Sequence, residues 1–146
     1  MSNEHTVKSY EEELRYLIDS VIKMGSLTES QLVDSMDAVI KVDKDSIDKI
    51  IKSDDEINKF RSKIDTQIMT LLVKRAPMAI DLRETISSLK ISQDLERIGD
   101  LSKSNAKKVK PLPLDLPEEL LGNLKRLGEL VIKQLNDVLD SYVNKN

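Results

Sequence analysis

Asp94-Leu95-Glu96-Arg97-Ile98-Gly99-Asp100 lies in the C-terminal half of the chain, with Glu96 and Asp100 four positions apart. On an α-helix that spacing stacks both carboxylates on one face, one turn apart. The same chain has only 4 Gly and 4 Pro in 146 residues. So few helix breakers predict long helices and argue against a β-rich fold. Two stacked carboxylates with no lysine at the same register suit a hard cation, which takes oxygen ligands. Such a pair also decorates many solvated helix faces, so it does not by itself assign a site.

Outward from this stretch, helical periodicity divides the chain into four segments. Segment three runs from Pro77 to about Val109. Its stripe of Leu82, Ile86 and Leu89 continues at helical spacing into Gln93, Glu96 and Asp100, whereas Ile91, Leu95 and Ile98 fall on the other side. The buried side is thus predicted to switch along the helix. Ala76-Pro77 ends segment two, because a residue before proline is pushed out of the α region, and Pro77 suits the first turn of a helix. Segment two, from Asp45 or Ser46 as cap to about Lys74, carries Ile47, Ile50, Ile51, Ile57, Phe60, Ile64, Ile68, Leu71 and Leu72 on a helical period. Its Asp54-Asp55-Glu56 run reads as a solvated face.

Segment one, about Val7 to Val42, repeats Leu14, Leu17, Val21, Met24, Leu32, Met36 and Val39, with Gly25 marking a bend or close contact. Three prolines between Pro111 and Pro117 predict an extended linker. Segment four, about Pro117 to Tyr142, has a wide stripe of Leu120, Leu124, Leu127, Leu130, Val131, Leu135, Val138 and Leu139 that requires burial. The fold class is therefore all-α. An antiparallel three-helix bundle (1–110) is followed by a linker (111–117) and a fourth C-terminal helix (118–146). Met24, Met36, Met69 and Met78 read as core filler.

Composition narrows the function classes. A net charge of −3 and a pI near 5.3 give no footprint for nucleic acid and no charge-driven membrane binding. There is no cysteine, so disulfides and thiolate chemistry are excluded, and the one histidine, His5, rules out a two-histidine site within one chain. No apolar run reaches the roughly 20 residues of a membrane span, and the polar start lacks a signal-peptide core, which predicts a cytoplasmic protein without membrane insertion. No nucleophile–base pairing or phosphate-cradling glycine loop argues for an enzyme. Ferritin-like oxidases need a Glu-x-x-His pattern on two helices, which this chain lacks.

Leu71 to Arg83, with its Arg-x-Pro-x-Ala-x-Asp-Leu-Arg pattern, together with Glu96-Arg97-Ile98-Gly99-Asp100 at that separation and Asn105 beyond, resembles the PhoU family. The resemblance implies a three-helix repeat, usually present twice in tandem, with segment four as the first helix of a second repeat. It implies a non-enzymatic negative regulator of phosphate uptake and phosphate-starvation signalling. The partners implied are the Pst phosphate transporter, through its ATPase subunit PstB, and the sensor kinase PhoR. The resemblance also implies a divalent or iron metal ion at paired carboxylates. Glu96 and Asp100 match the motif on segment three, but on segment two the matching pair is Arg61 and Asp65. Arg61 repels a cation, which leaves Asp65, Glu96 and Asp100 as a reduced metal site. Asp81, Arg83 and Arg97 are the candidate partner-binding residues: Arg83 either pairs with a carboxylate inside the bundle or is presented to a partner, and Arg97 pairs with Asp94 or Asp100 if it stays on the surface. Gly99, costly inside a helix, points to close helix approach or room beside the carboxylates. The unpaired face of segment four predicts a homodimer. The alternative is a metal-binding or self-associating bundle without regulatory role.

Overall fold

The computed structural model describes residues 2–145, which form α1 (Ser2–Lys41), α2 (Ile47–Arg75), α3 (Ile80–Lys107) and α4 (Glu118–Asn144). Helices α1, α2 and α3 pack on one another, while α4 packs on α1. Cross-helix hydrogen bonds give the directions. Arg75, at the end of α2, donates to Ser9 and Glu13 near the start of α1, so these two helices are antiparallel. Gln31 and Ser35 of α1 donate to the carbonyls of Gly99 and Ser102 of α3, so α1 and α3 run parallel.

One rule organises the bundle. The seam of α1 is made of the buried Leu14, Leu17, Val21, Met24, Thr28, Gln31, Ser35 and Ala38, with Val42 just beyond, while Ser20, Gly25 and Leu32 are buried beside it. In α2 they are Ile47, Ile50, Asp54, Ile57, Ile64, Ile68 and Leu71, and the half-buried Arg61 fills the one gap in the series. In α3 they are Thr85, Ser88, Ser92, Leu95, Gly99, Ser102 and Ala106. All three series alternate three- and four-residue steps, the seam spacing of a left-handed helical bundle. The side chains of α1 and α2 on this seam are mostly large, and those of α3 are mostly small. A helix with small residues on its seam lets its neighbours' Leu and Ile fill the interior.

The predicted α3 stripe is therefore corrected. Leu82 is exposed and Ile86 and Leu89 are only half-buried, because the seam runs one position away, through Thr85, Ser88 and Ser92. Met24 is buried as expected, but Met69 and Met78 are exposed. Pro77 does not open α3. Ala76 caps α2 in a left-handed conformation (φ 42°), its N–H bonding Leu72 O, and Ala79 takes φ 54°, so the helical path resumes only at Ile80. The turn before α2 is held by Asp43, whose Oδ1 accepts the N–H groups of Asp45 and Ser46 at 3.0 and 3.3 Å. Ser46 makes no side-chain cap of its own.

Helix α4 lies antiparallel on α1 through two reciprocal contacts. Leu139 of α4 sits over Gly25 of α1, and Met36 of α1 sits over Gly128 of α4. A Cβ at either glycine would lie 2.6 Å from the facing side-chain tip. This close contact is why Gly25 interrupts an otherwise apolar series. Of the stripe on α4, only Leu135 is buried among its large apolar residues, and Leu120, Leu127, Leu130, Val131 and Val138 remain exposed.

A single methyl at Gly25 displaces only the mobile end of Leu139, and helix propensity offsets the crowding, so Gly25→Ala is expected to be near neutral in urea denaturation. Gly25→Leu meets the whole side chain and is expected to cost about 1–3 kcal/mol. It should also increase hydrogen exchange in α4 while leaving the centre of α2 protected.

Candidate functional site

The seam between α2 and α3 gathers ionisable side chains at two levels. At the first, the Asp54 carboxylate has no solvent exposure. Its Oδ1 accepts from Gln31 Nε2 at 3.1 Å and its Oδ2 from Lys103 Nζ at 2.6 Å and Asn58 Nδ2 at 3.4 Å. Gln31 Nε2 also donates to Gly99 O at 2.8 Å. This layer therefore ties α1, α2 and α3 together. A Cβ on Gly99 would press against Ile57 at 3.3 Å and Asp54 Oδ1 at 3.4 Å, so the glycine serves close helix approach.

At the second level, nearly two turns along α2, Arg61 lies across the seam with its side chain 14% exposed. Its Nε donates to Glu96 Oε2 at 3.0 Å, and its Nη1 donates to Asp65 Oδ1 at 2.6 Å and Ser92 Oγ at 2.9 Å. The guanidinium thus joins two carboxylates and a hydroxyl from two helices. A planar fork of donors suits this task better than an ammonium would.

The predicted metal residues are brought only partly together. Asp65 and Glu96 converge, but on Arg61. Asp100 is more than half exposed and turns toward Lys103, 4.0 Å away, at the other level. Among the described residues no three His, Cys, Asp or Glu side chains group as metal ligands. The donor set as built fits a guanidinium and does not fit a metal ion.

Asp81, Arg83 and Arg97 are exposed. Asp81 sits in the first turn of α3, where its charge favours the helix dipole. Arg83 lines a cleft of about 380 Å³ between α3 and α4, floored by Ile18, Ile91, Val138 and Tyr142. No ion pair of Arg97 with Asp94 or Asp100 forms among the described residues. Asn105 is exposed at the mouth of a second groove bordered by Met36, Leu124 and Leu127.

The reading of Asp54 as solvated is corrected here. Its neighbours Asp55 and Glu56 are exposed, but Asp54 stands on the seam between Ile50 and Ile57. The strict alternation of steps through Ile47, Ile50, Asp54, Ile57, Arg61 and Ile64 is the signal that places both charged residues inward. Gln31 and Lys103 were not singled out either. Gln31 is legible by the same register in α1.

A PhoU domain model matches residues 21–109. The chain belongs to the PhoU family. Among its relatives is the phosphate-specific transport system accessory protein PhoU homolog of Caulobacter vibrioides (strain NA1000 / CB15N), 38% identical over 144 residues, covering 98% of this chain and 63% of that protein. The homolog from Rhizobium meliloti (strain 1021) is 37% identical and is matched over 62% of its length. The crystal structure of the phosphate transport system regulatory protein PhoU from Streptococcus pneumoniae matches with a TM-score of 0.82 at 32% identity, covering 90% of this chain and 62% of that one. The chain thus spans a little under two thirds of the length of these PhoU relatives. The match confirms the all-α bundle with its fourth helix. No helix among the described residues is long and apolar enough to cross a membrane.

Asp54 holds the Lys103 ammonium above its usual pKa, chiefly through their hydrogen bond. A raised folded-state value means the stabilisation is fully present below the unfolded lysine value, about 10.4, and is lost as pH rises through the folded value. The urea midpoint of the wild type is therefore expected to fall on that alkaline side. Lys103→Met, which lacks the pair at any pH, should show a shallower alkaline decline.

Proposed function

We propose that this chain is a negative regulator of phosphate uptake and phosphate-starvation signalling, acting in the cytoplasm by protein contact and not as an enzyme. Its partners are the ATPase subunit of the Pst transporter, PstB, and the sensor kinase PhoR. Relatives named as accessory or regulatory proteins of the phosphate transport system support the regulatory reading.

The observation that carries the contact mode is the end of the bundle formed by the α2–α3 turn. Val73, Met78 and Ile80 there are 78%, 79% and 70% exposed, and Met69 is exposed one turn below Val73. Ala79, between Met78 and Ile80, has φ 54° and ψ −118°. Holding alanine in so sparsely populated a region costs of order 1–3 kcal/mol, and such strain gathers at binding sites. An apolar tip held out on strained backbone is a docking element, and Asp81 and Arg83 just beyond it supply polar contacts around the apolar centre. We assign this tip to the transporter ATPase.

A second surface supports self-association. Leu120, Leu124, Leu127, Val131 and Val138 of α4 follow coiled-coil spacing on the flank of the helix beside the α1 glycine contacts, where Leu124, Leu127 and Val131 border the groove with Met36. We assign this seam to a second copy of the chain.

Met78→Asp with Ile80→Asp, both at exposed positions, should leave the melting temperature within a few degrees of wild type. The same variant should lose PstB from affinity purifications out of phosphate-replete cells. Undiminished recovery of PstB would remove the tip from the contact. Light scattering is expected to give a dimer mass for the wild type and a monomer for Leu127→Glu/Val131→Glu; a strict monomer at high concentration of wild type would leave α4 without the proposed partner.

A further inference from the structure

We infer that Arg61 is a built-in cation: its guanidinium takes the space that Asp65 and Glu96 would otherwise offer a metal ion, so the α2–α3 seam of this chain closes without metal. The geometry supports this in three ways. The guanidinium spends donors on both carboxylates and on Ser92 at 2.6–3.0 Å, and therefore occupies the interhelical space itself. It stands on the α2 seam, in step with Ile57 and Ile64, and is largely buried. A metal ion drawn to Asp65 and Glu96 would meet a fixed positive charge at contact distance, with little water between to screen it.

The neighbouring level repeats the arrangement with a lysine. Asp54 and Asp100 are served by Lys103, at 2.6 and 4.0 Å. Along the seam the two carboxylates of α2, Asp54 and Asp65, and the two of α3, Glu96 and Asp100, are thus each approached by one of two cations carried by the chain itself. Neither cation can be lost by chelation, starvation for metal or oxidation. The interhelical geometry on which the α2–α3 tip is mounted is then independent of the cell's metal supply.

Removing the charge at position 61 would restore metal binding. In Arg61→Glu two carboxylates spaced four apart on α2 converge with Glu96 on α3, and the fixed charge between them is gone. That is an oxygen-rich site for a hard or borderline cation, which keeps waters in its remaining positions.

The test compares wild type, Arg61→Glu and Arg61→Gln, purified with chelator and then titrated with Mn²⁺. Binding is followed by the loss of the free Mn²⁺ paramagnetic resonance signal, and melting by circular dichroism. Wild type is expected to bind no stoichiometric Mn²⁺ and to melt at the same temperature with metal or with chelator. Arg61→Glu is expected to be less stable in chelator, to bind at least one equivalent, and to regain several degrees of melting temperature with Mn²⁺, since a ligand of the folded state stabilises it. Arg61→Gln keeps a neutral hydrogen-bonding side chain, so it covers the case in which the glutamate variant does not fold. It should bind Mn²⁺ with a Kd lower than that of wild type by roughly tenfold or more, about 1.4 kcal/mol. Stoichiometric tight binding by the wild type, or a wild-type melting temperature that rises with Mn²⁺, would overturn the inference. Folded Arg61→Glu and Arg61→Gln proteins that bind no more Mn²⁺ than wild type would overturn it as well. None of these readouts involves PstB or PhoR, so they are independent of the proposed docking.

Discussion

A carboxylate cut off from water must be met by donors, and Asp54 draws its donors from all three helices of the bundle. Sliding α2 by one turn would carry Asp54 to the levels of Ile50 or Asn58 and leave a charge buried without partners. Apolar seams alone tolerate such slips, because one Ile packs about as well as the next. A polar side chain at a single seam position is a known way of fixing register and partner choice. Gln31 adds to this by reading Asp54 with the same Nε2 that reads the Gly99 carbonyl. The arrangement of α1 against α3 follows, and the Ser35 bond to Ser102 O one layer on extends it.

From that layer the rest of the bundle can be followed outward. Toward the α1–α2 turn the interior is small and apolar, with Ala38, Ile47, Ile50, Ala106 and Val109. In the other direction Ile57, Leu95 and Met24 lead to the Arg61 level, and beyond it Leu17, Ile64, Ile68 and Leu71 close the core. The α2–α3 turn is carried at the far end of this stack. Its exposed Met78 and Ile80 are positioned by a rigid pair of helices, although the turn itself is short. Helix α4 stands outside this system. It touches α1 through small residues and leaves much of its apolar stripe open, which makes it the element from which an association surface is expected.

The four helices and their order were legible in the sequence, since Leu, Ile and Val recur at helical spacing and prolines are confined to the connections. The family was legible because two motifs occur together at their proper distance. The buried face of α3 was misread for a physical reason: its seam is made of Ser, Thr, Gly and Ala, which carry little hydrophobic signal, while Leu82 and Leu101 are exposed. Asp54 was misread because it is followed by two solvated acids, and composition outweighed register. Arg61 was recognised as a departure from the paired-carboxylate pattern. Its role as a bridge between Asp65 and Glu96 depends on a three-dimensional contact that no spacing within one helix reveals. Exposed Met78 follows from the left-handed backbone at Ala76 and the positive φ at Ala79, neither of which the residue type announces.

The most direct test of this account is a double-mutant cycle between Asp54 and Lys103, using Asp54→Asn, Lys103→Met and the double variant in urea denaturation. If the buried carboxylate level holds the three helices together, the coupling between the two sites should be about 2 kcal/mol, within the range for residues of one polar network. A coupling below about 0.5 kcal/mol, the value of an ordinary surface pair, would contradict it. The bundle would then be held by its apolar seam alone, and Asp54 would carry no special weight in the fold.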